Sequence, residues 1–130
     1  MTIVITFGTY DLFHIGHLNI IKRAASLGDY LIVGISTDKL NFKKKNKNPI
    51  INQNDRKTII ESIKYVDETF FEESLEEKRE YLLKYKADIL VMGDDWKGKF
   101  DCFKDIVKVV YFERTKDIST TDLKKIIKEN

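Results

Sequence analysis

The sequence predicts an α/β fold, a single domain with a central parallel sheet flanked by helices. Three observations predict it. Short runs rich in β-branched residues recur at positions 2–7, 30–35, 89–92 and 107–112, as buried strands require. Between them lie stretches whose apolar residues fall at helical spacing. Buried strands alternating with helices imply parallel pairing, because parallel neighbours need a crossover connection. A length of 130 residues suits one such unit, spanning 1–130, with no linker or repeat to divide it.

Each element follows from local pattern. Residues 2–7 (TIVITF) form the first strand and end at Gly8, which lets the chain turn sharply. Leu18, Ile21, Ala24, Ala25 and Leu27 give an amphipathic helix over 18–27, stopped by Gly28. Residues 30–35 (YLIVGI) are the second strand. The stretch 38–54 is rich in lysine and holds Pro49, so it reads as an exposed loop. Asn54 caps a helix to about Ile63, with Ile59, Ile60 and Ile63 turned inward. A short strand falls within 66–71. Ser74 and Glu77 have the spacing of a capping box and open a helix to about Tyr85. The last strands lie at 89–92 and 107–112. Thr121 starts the final helix, with Leu123, Ile126 and Ile127 along one side.

Composition narrows the function classes. Lys and Arg number 23 against 21 Asp and Glu, a net charge of +2, which argues against a nucleic-acid partner but leaves room for a local basic pocket. One cysteine, Cys102, allows no internal disulfide and no cysteine-rich zinc site. The apolar runs are too short for membrane insertion, and no basic segment precedes the first of them. The expectation is a cytoplasmic globular protein.

Chemistry concentrates where strands end. Ligands of parallel sheets collect at the carboxyl ends of the strands, and three stretches lie there: 8–17, 93–96 and 114–121. In the first, GTYDLFHIGH, the only two histidines, His14 and His17, sit three apart at a helix start. Free N–H groups there attract phosphate, and two imidazoles beside them can donate to a leaving group as charge builds on it. A metal reading needs a third ligand, for which Asp11 is the only near candidate, so no metal site is assigned. Arg114 can fork two N–H groups onto phosphate oxygens. Ser119, Thr120 and Thr121 offer hydroxyls at the next helix start, or simply a cap. The run Lys43, Lys44, Lys45 and Lys47 reads, taken alone, as a solvated face. Lys78 reads as an exposed helix residue, and Trp96 as either a ligand cover or core.

Residues 8–17 resemble the nucleotide-binding signature of the cytidylyltransferase family, one of the HxGH nucleotidyltransferases. Arg114-Thr115-Lys116-Asp117-Ile118-Ser119-Thr120 is similar to that family's RTxGIST signature, with Asp117 in place of glycine. The stretch 92–101 (MGDDWKGKFD) resembles the glycerol-3-phosphate cytidylyltransferases, and the likeness runs over the whole chain. The resemblance implies a Rossmann-like fold and transfer of a cytidylyl group from CTP to sn-glycerol 3-phosphate, with Mg²⁺ accompanying CTP. His14, His17 and Arg114 would be catalytic. Thr9, Tyr10, Ile15, Gly16, Lys47, Asp94, Thr115, Ile118, Ser119, Thr120 and Thr121 would join them around CTP, Lys47 being preferred to Asn46 for its charge. Asp11, Lys44 and Lys78 would meet the acceptor, and Arg56 would serve the fold or a subunit interface. A homodimer feeding teichoic-acid-like or capsular polymers is also implied. Another acceptor, ATP in place of CTP, or a non-catalytic nucleotide-binding module are the alternatives.

Overall fold

The computed structural model describes residues 1–115 and 119–129. Five strands, β1 (Ile3–Gly8), β2 (Tyr30–Ser36), β3 (Glu68–Glu72), β4 (Ile89–Gly93) and β5 (Lys108–Phe112), pair in parallel in the order β3-β2-β1-β4-β5. Five helices, α1 (Ile15–Ala25), α2 (Asp38–Lys45), α3 (Gln53–Glu61), α4 (Lys78–Lys84) and α5 (Thr120–Glu129), make the connections and close the chain. This is the α/β parallel sheet that the alternating pattern predicts, Rossmann-like as the family resemblance implies.

The strand pleat sorts the core into two layers. Val4, Leu31, Val33, Ile35 and Val91 pack on one face beneath Ile21 and Ala24 of α1 and Ile60 of α3. Ile5, Phe7, Ile32, Leu90 and Met92 pack on the other beneath Leu82 of α4 and Val107. A fully buried isoleucine or leucine in these layers contributes about 1.5–3 kcal/mol. Gly34 is required where the layers are tightest, because a Cβ there would stand 2.6 Å from Phe7 Cδ1 and 2.7 Å from Phe70 Cζ. Asp29, Asp67 and Asp88 accept from the amides of Thr2, Leu31 and Ile3 and tie down the amino ends of the strands. The opposite ends are left for loops.

Four local expectations change. The lysine-rich stretch is not all loop, for α2 occupies its first half. Its buried residues are Leu40 and Asn41, so amphipathicity does not reveal it. Its ends do the work instead: Thr37 accepts from Leu40 N at 3.1 Å, and Asn46 closes the helix at φ 55°. Asp38 in the first turn and Lys43 to Lys45 in the last complement the helix dipole. Asn52, not Asn54, caps α3, accepting from Asp55 N at 2.9 Å. The capping box at Ser74 does not form, since its hydroxyl turns to Glu76 Oε2 at 2.8 Å and α4 begins later, at Lys78. Helix α5 opens at Thr120, one residue early, with Ser119 Oγ accepting from Asp122 N. Among the described residues no helix is long and apolar enough to cross a membrane.

Candidate active site

The strand order turns around between β1 and β4, so a crevice opens beyond their carboxyl ends. The chain leaving β1 is strained there. Tyr10 and Leu12 take φ of 57° and 48°, a conformation that costs a side-chain-bearing residue about 1 kcal/mol or more and clusters at functional sites. Tyr10 folds its ring back into the core, where a Cβ on residue 8 would stand 2.7 Å from Tyr10 Cζ. Glycine at position 8 is what admits the ring. Burial raises the Tyr10 hydroxyl far above its ordinary range, so the phenol stays neutral and only its backbone borders the crevice.

The strained turn delivers two histidines to the start of α1. His14 is the N-cap, and its Nδ1 accepts from Gly16 N at 3.0 Å. His17 reaches back, its Nδ1 accepting from His14 N at 3.2 Å. This reciprocal cap places the proton of each neutral ring on Nε2. The rings stack with centroids 3.8 Å apart. Burial, then the charge of His14, lower His17 to about 4, with Asp11 opposing and Arg114 adding. Burial and Arg114 lower His14 as well. Both rings are therefore neutral N–H donors at neutral pH. His14 Nε2 is shut off from solvent and has no hydrogen-bond partner. A buried donor left without an acceptor costs about 1–3 kcal/mol, and an incoming phosphate oxygen would satisfy it.

A scaffold of buried polar groups holds this turn. Arg56 is 0% exposed and donates to the carbonyls of Thr9 and Ser36, each at 2.8 Å, to Ile51 O at 2.9 Å, and to Asp38 Oδ1 at 2.6 Å. It serves the fold. Thr9 Oγ1 donates to Asn41 Oδ1 at 2.8 Å, while Asn41 Nδ2 holds Thr37 O. Asp11 turns its carboxylate to the amides of Ile50 and Ile51, at 2.8 and 2.9 Å, with Lys124 Nζ 3.3 Å away. Those partners hold the Asp11 carboxyl below its usual range against the opposing effect of burial. Thr120 Oγ1 donates to Asp11 O at 2.8 Å, which links α5 to the same turn.

The other expected residues fall around this centre. Ile15 is exposed and Gly16 buried on the first turn of α1. Arg114 is exposed, and its charge reaches both histidines. Thr115 Oγ1 accepts from Asn19 at 2.8 Å. Asp94 is exposed just beyond β4, whereas Trp96 packs against Phe100 and the second core layer. Thr121 is exposed at the start of α5. Ile118 lies outside the described residues, as does Asp117. Lys44 is half-buried on α2 and Lys47 is exposed beyond it, with Asn46 spent as the helix cap. Lys78 is not an exposed helix residue: it is 3% exposed and ion-paired to Glu72. A groove of about 470 Å³ on the flank of α1, lined in part by Lys22, Arg23 and Arg114, contains neither histidine.

The described residues offer no metal centre of their own. No group of three or more His, Cys, Asp or Glu among them could hold an ion, and both oxygens of Asp11 are engaged.

The family model described as "Cytidylyltransferase-like" matches residues 5–126. The chain belongs to the cytidylyltransferase-like family. A glycerol-3-phosphate cytidylyltransferase of Bacillus subtilis is 49% identical over 124 residues, covering 95% of each chain. One from Staphylococcus aureus is 46% identical over 121 residues, 93% of this chain and 91% of its own. The crystal structure of a lipopolysaccharide core biosynthesis protein from Thermoplasma volcanium superposes with a TM-score of 0.79 at 27% identity, covering 89% of this chain and 99% of that one. In this cytidylyltransferase-like chain the paired histidines stand at the start of α1, beside the sheet crevice. Arg56, Asn41 and Glu72 are the residues that sequence pattern underrates. Their partners lie on other elements, and no spacing rule could have found them.

Proposed function

We propose that this protein transfers the cytidylyl group of CTP to sn-glycerol 3-phosphate, giving CDP-glycerol and pyrophosphate. The observation that carries the chemistry is the stacked pair of neutral, Nε2-protonated histidines, one with a buried N–H lacking an acceptor. The relatives' names supply the substrates. An oxygen of the acceptor phosphate attacks the α-phosphorus in line. The bond from that phosphorus to the bridging oxygen breaks, and its electron pair leaves with pyrophosphate. No enzyme nucleophile is needed, so catalysis is alignment and charge stabilisation.

His14, His17 and Arg114 meet the triphosphate in this reading. As negative charge gathers on the leaving pyrophosphate it draws the protons of both Nε2 atoms, strengthening the hydrogen bonds when they matter most. Thr9, the Tyr10 backbone, Ile15 and Gly16 complete the cradle. Lys47, Asp94, Thr115, Ile118, Ser119, Thr120 and Thr121 are assigned to the nucleotide as well. Lys44 and Lys78 receive the acceptor phosphate. Asp11 acts on the acceptor side by fixing the loop at Ile50 and Ile51. Magnesium enters only as the counter-ion of CTP, with no protein ligand assigned. The reaction draws on CTP, which suits a cytoplasmic location, and the family resemblance adds a homodimer; fractionation and light scattering test those two.

A pyrophosphate-release assay over all four NTPs and a panel of phosphorylated alcohols tests the substrates. Release is expected with CTP and glycerol 3-phosphate above every other pair. A preference for ATP or for another acceptor would reassign the specificity, and release with no pair would leave only nucleotide binding.

A further inference from the structure

Glu72 ends β3 on the ligand side of the sheet and looks, in the sequence, like one more acid in a surface run. It is 2% exposed. Its Oε1 accepts the Ser36 hydroxyl at 3.3 Å, and its Oε2 stands 2.9 Å from Lys78 Nζ. The Lys78 ammonium lies 4.0 Å from the ring centre of Phe7 and 4.8 Å from that of Phe100. A buried ion pair of this kind adds little net stability over well-packed apolar residues of the same volume. What it does secure is a charged lysine fixed in a dry corner.

We propose that Glu72 is a positioning residue for the acceptor: it holds Lys78 in place, as an ammonium ion, ready for the phosphate of glycerol 3-phosphate. The inference rests on the assignment of Lys78 to the acceptor site. Loss of water on burial favours the neutral amine and pulls Lys78 below its ordinary range, with Glu72 opposing. Lys44, facing the same carboxylate from α2, is lowered by burial and by Lys45, Lys78 and Arg56, again with Glu72 opposing. Tyr10 and, from α4, Tyr81 also feel the Glu72 charge and are raised, so they stay neutral. Ser36 adds no charge. Glu72 is therefore the group that lets two neighbouring lysines remain cationic before a dianion arrives. An ammonium has three N–H donors, so Lys78 can stay ion-paired to Glu72 and still turn N–H groups to phosphate.

The test is the pH dependence of steady-state kinetics between pH 7 and 9 for the intact protein and for Glu72→Gln, Glu72→Asp and Lys78→Met. A phosphomonoester, with a second pKa of about 6, is a dianion throughout this range, so changes belong to the protein. For the intact protein the acceptor KM should stay flat. For Glu72→Gln it should climb by up to about tenfold per pH unit once Lys78 sheds its proton, while the CTP KM stays within about twofold of normal. Glu72→Asp, with its charge one methylene further back, should show a smaller rise and carries the test if the Gln variant does not fold. An acceptor KM in both Glu72 variants that parallels the intact protein, or falls at every pH, overturns the proposal. So does an equal change in kcat and both KM values at every pH. Lys78→Met separates the two levels of argument. It should raise the acceptor KM at least about tenfold at all pH values; an unchanged KM removes Lys78 from the acceptor site. A normal Lys78→Met effect beside pH-independent Glu72 variants removes only the role of Glu72.

Discussion

Acid should destabilise this protein through His17 in a measurable way. The unfolded chain binds a proton on this ring below about 6.5, whereas the folded ring resists protonation down to about 4. Its contribution is present in full above pH 6.5 and is lost as the pH falls toward 4, at about 1.4 kcal/mol per pH unit and about 3 kcal/mol in all. Carboxylates also titrate in this range, so the measurement must be a difference. His17→Asn provides the reference, because its amide oxygen can still accept from His14 N and keep the cap while carrying no titrating group. Urea unfolding of both proteins, in steps from pH 7 to pH 4 without nucleotide, gives the two stability curves. The gap between them should shift by about 3 kcal/mol against the native protein over that span, and saturating CTP should shrink the shift by favouring the protonated ring. Parallel curves, within about 0.5 kcal/mol, would refute the claim that burial keeps His17 neutral.

Three further outcomes follow from the scaffold. Arg56→Ala strips the donors from three carbonyls and unpairs Asp38; it should cost about 3–5 kcal/mol and lower Tm by about 10 °C or more, and a loss under about 1 kcal/mol in denaturant titration contradicts the assignment. Gly34→Ala drives a methyl into Phe7 and Phe70 and should cost about 1–3 kcal/mol by the same titration. Asp11→Ala releases two amides, so hydrogen exchange at Ile50 and Ile51 should accelerate at least tenfold; unchanged protection would mean that other contacts hold the loop.

Legibility in the sequence tracked how local each cause was. The strands β1, β2 and β4 are continuous apolar runs because both sheet faces are covered, and such runs announce themselves. The helix α2 stayed hidden because its stability comes from Thr37, Asn46 and the dipole rather than from an apolar stripe. The paired histidines were readable because a strained strand-to-helix turn needs Gly8 and a contiguous signature. The burial of Arg56, Lys78 and Glu72 was not, because each depends on a partner brought in by another element. A buried charge looks the same in the sequence as a solvated one. The net charge of +2 is silent in the same way, since it averages over the whole surface.

His14 and His17, in the proposed reaction, stabilise the pyrophosphate leaving from CTP. Turnover of CTP and glycerol 3-phosphate to CDP-glycerol, followed by mass spectrometry for the native protein beside His14→Ala and His17→Ala, tests it most directly. The native protein should form CDP-glycerol, and kcat should be at least about 100-fold lower in either variant, the scale of losing one charge-stabilising donor. Near-normal kcat in folded variants would contradict it.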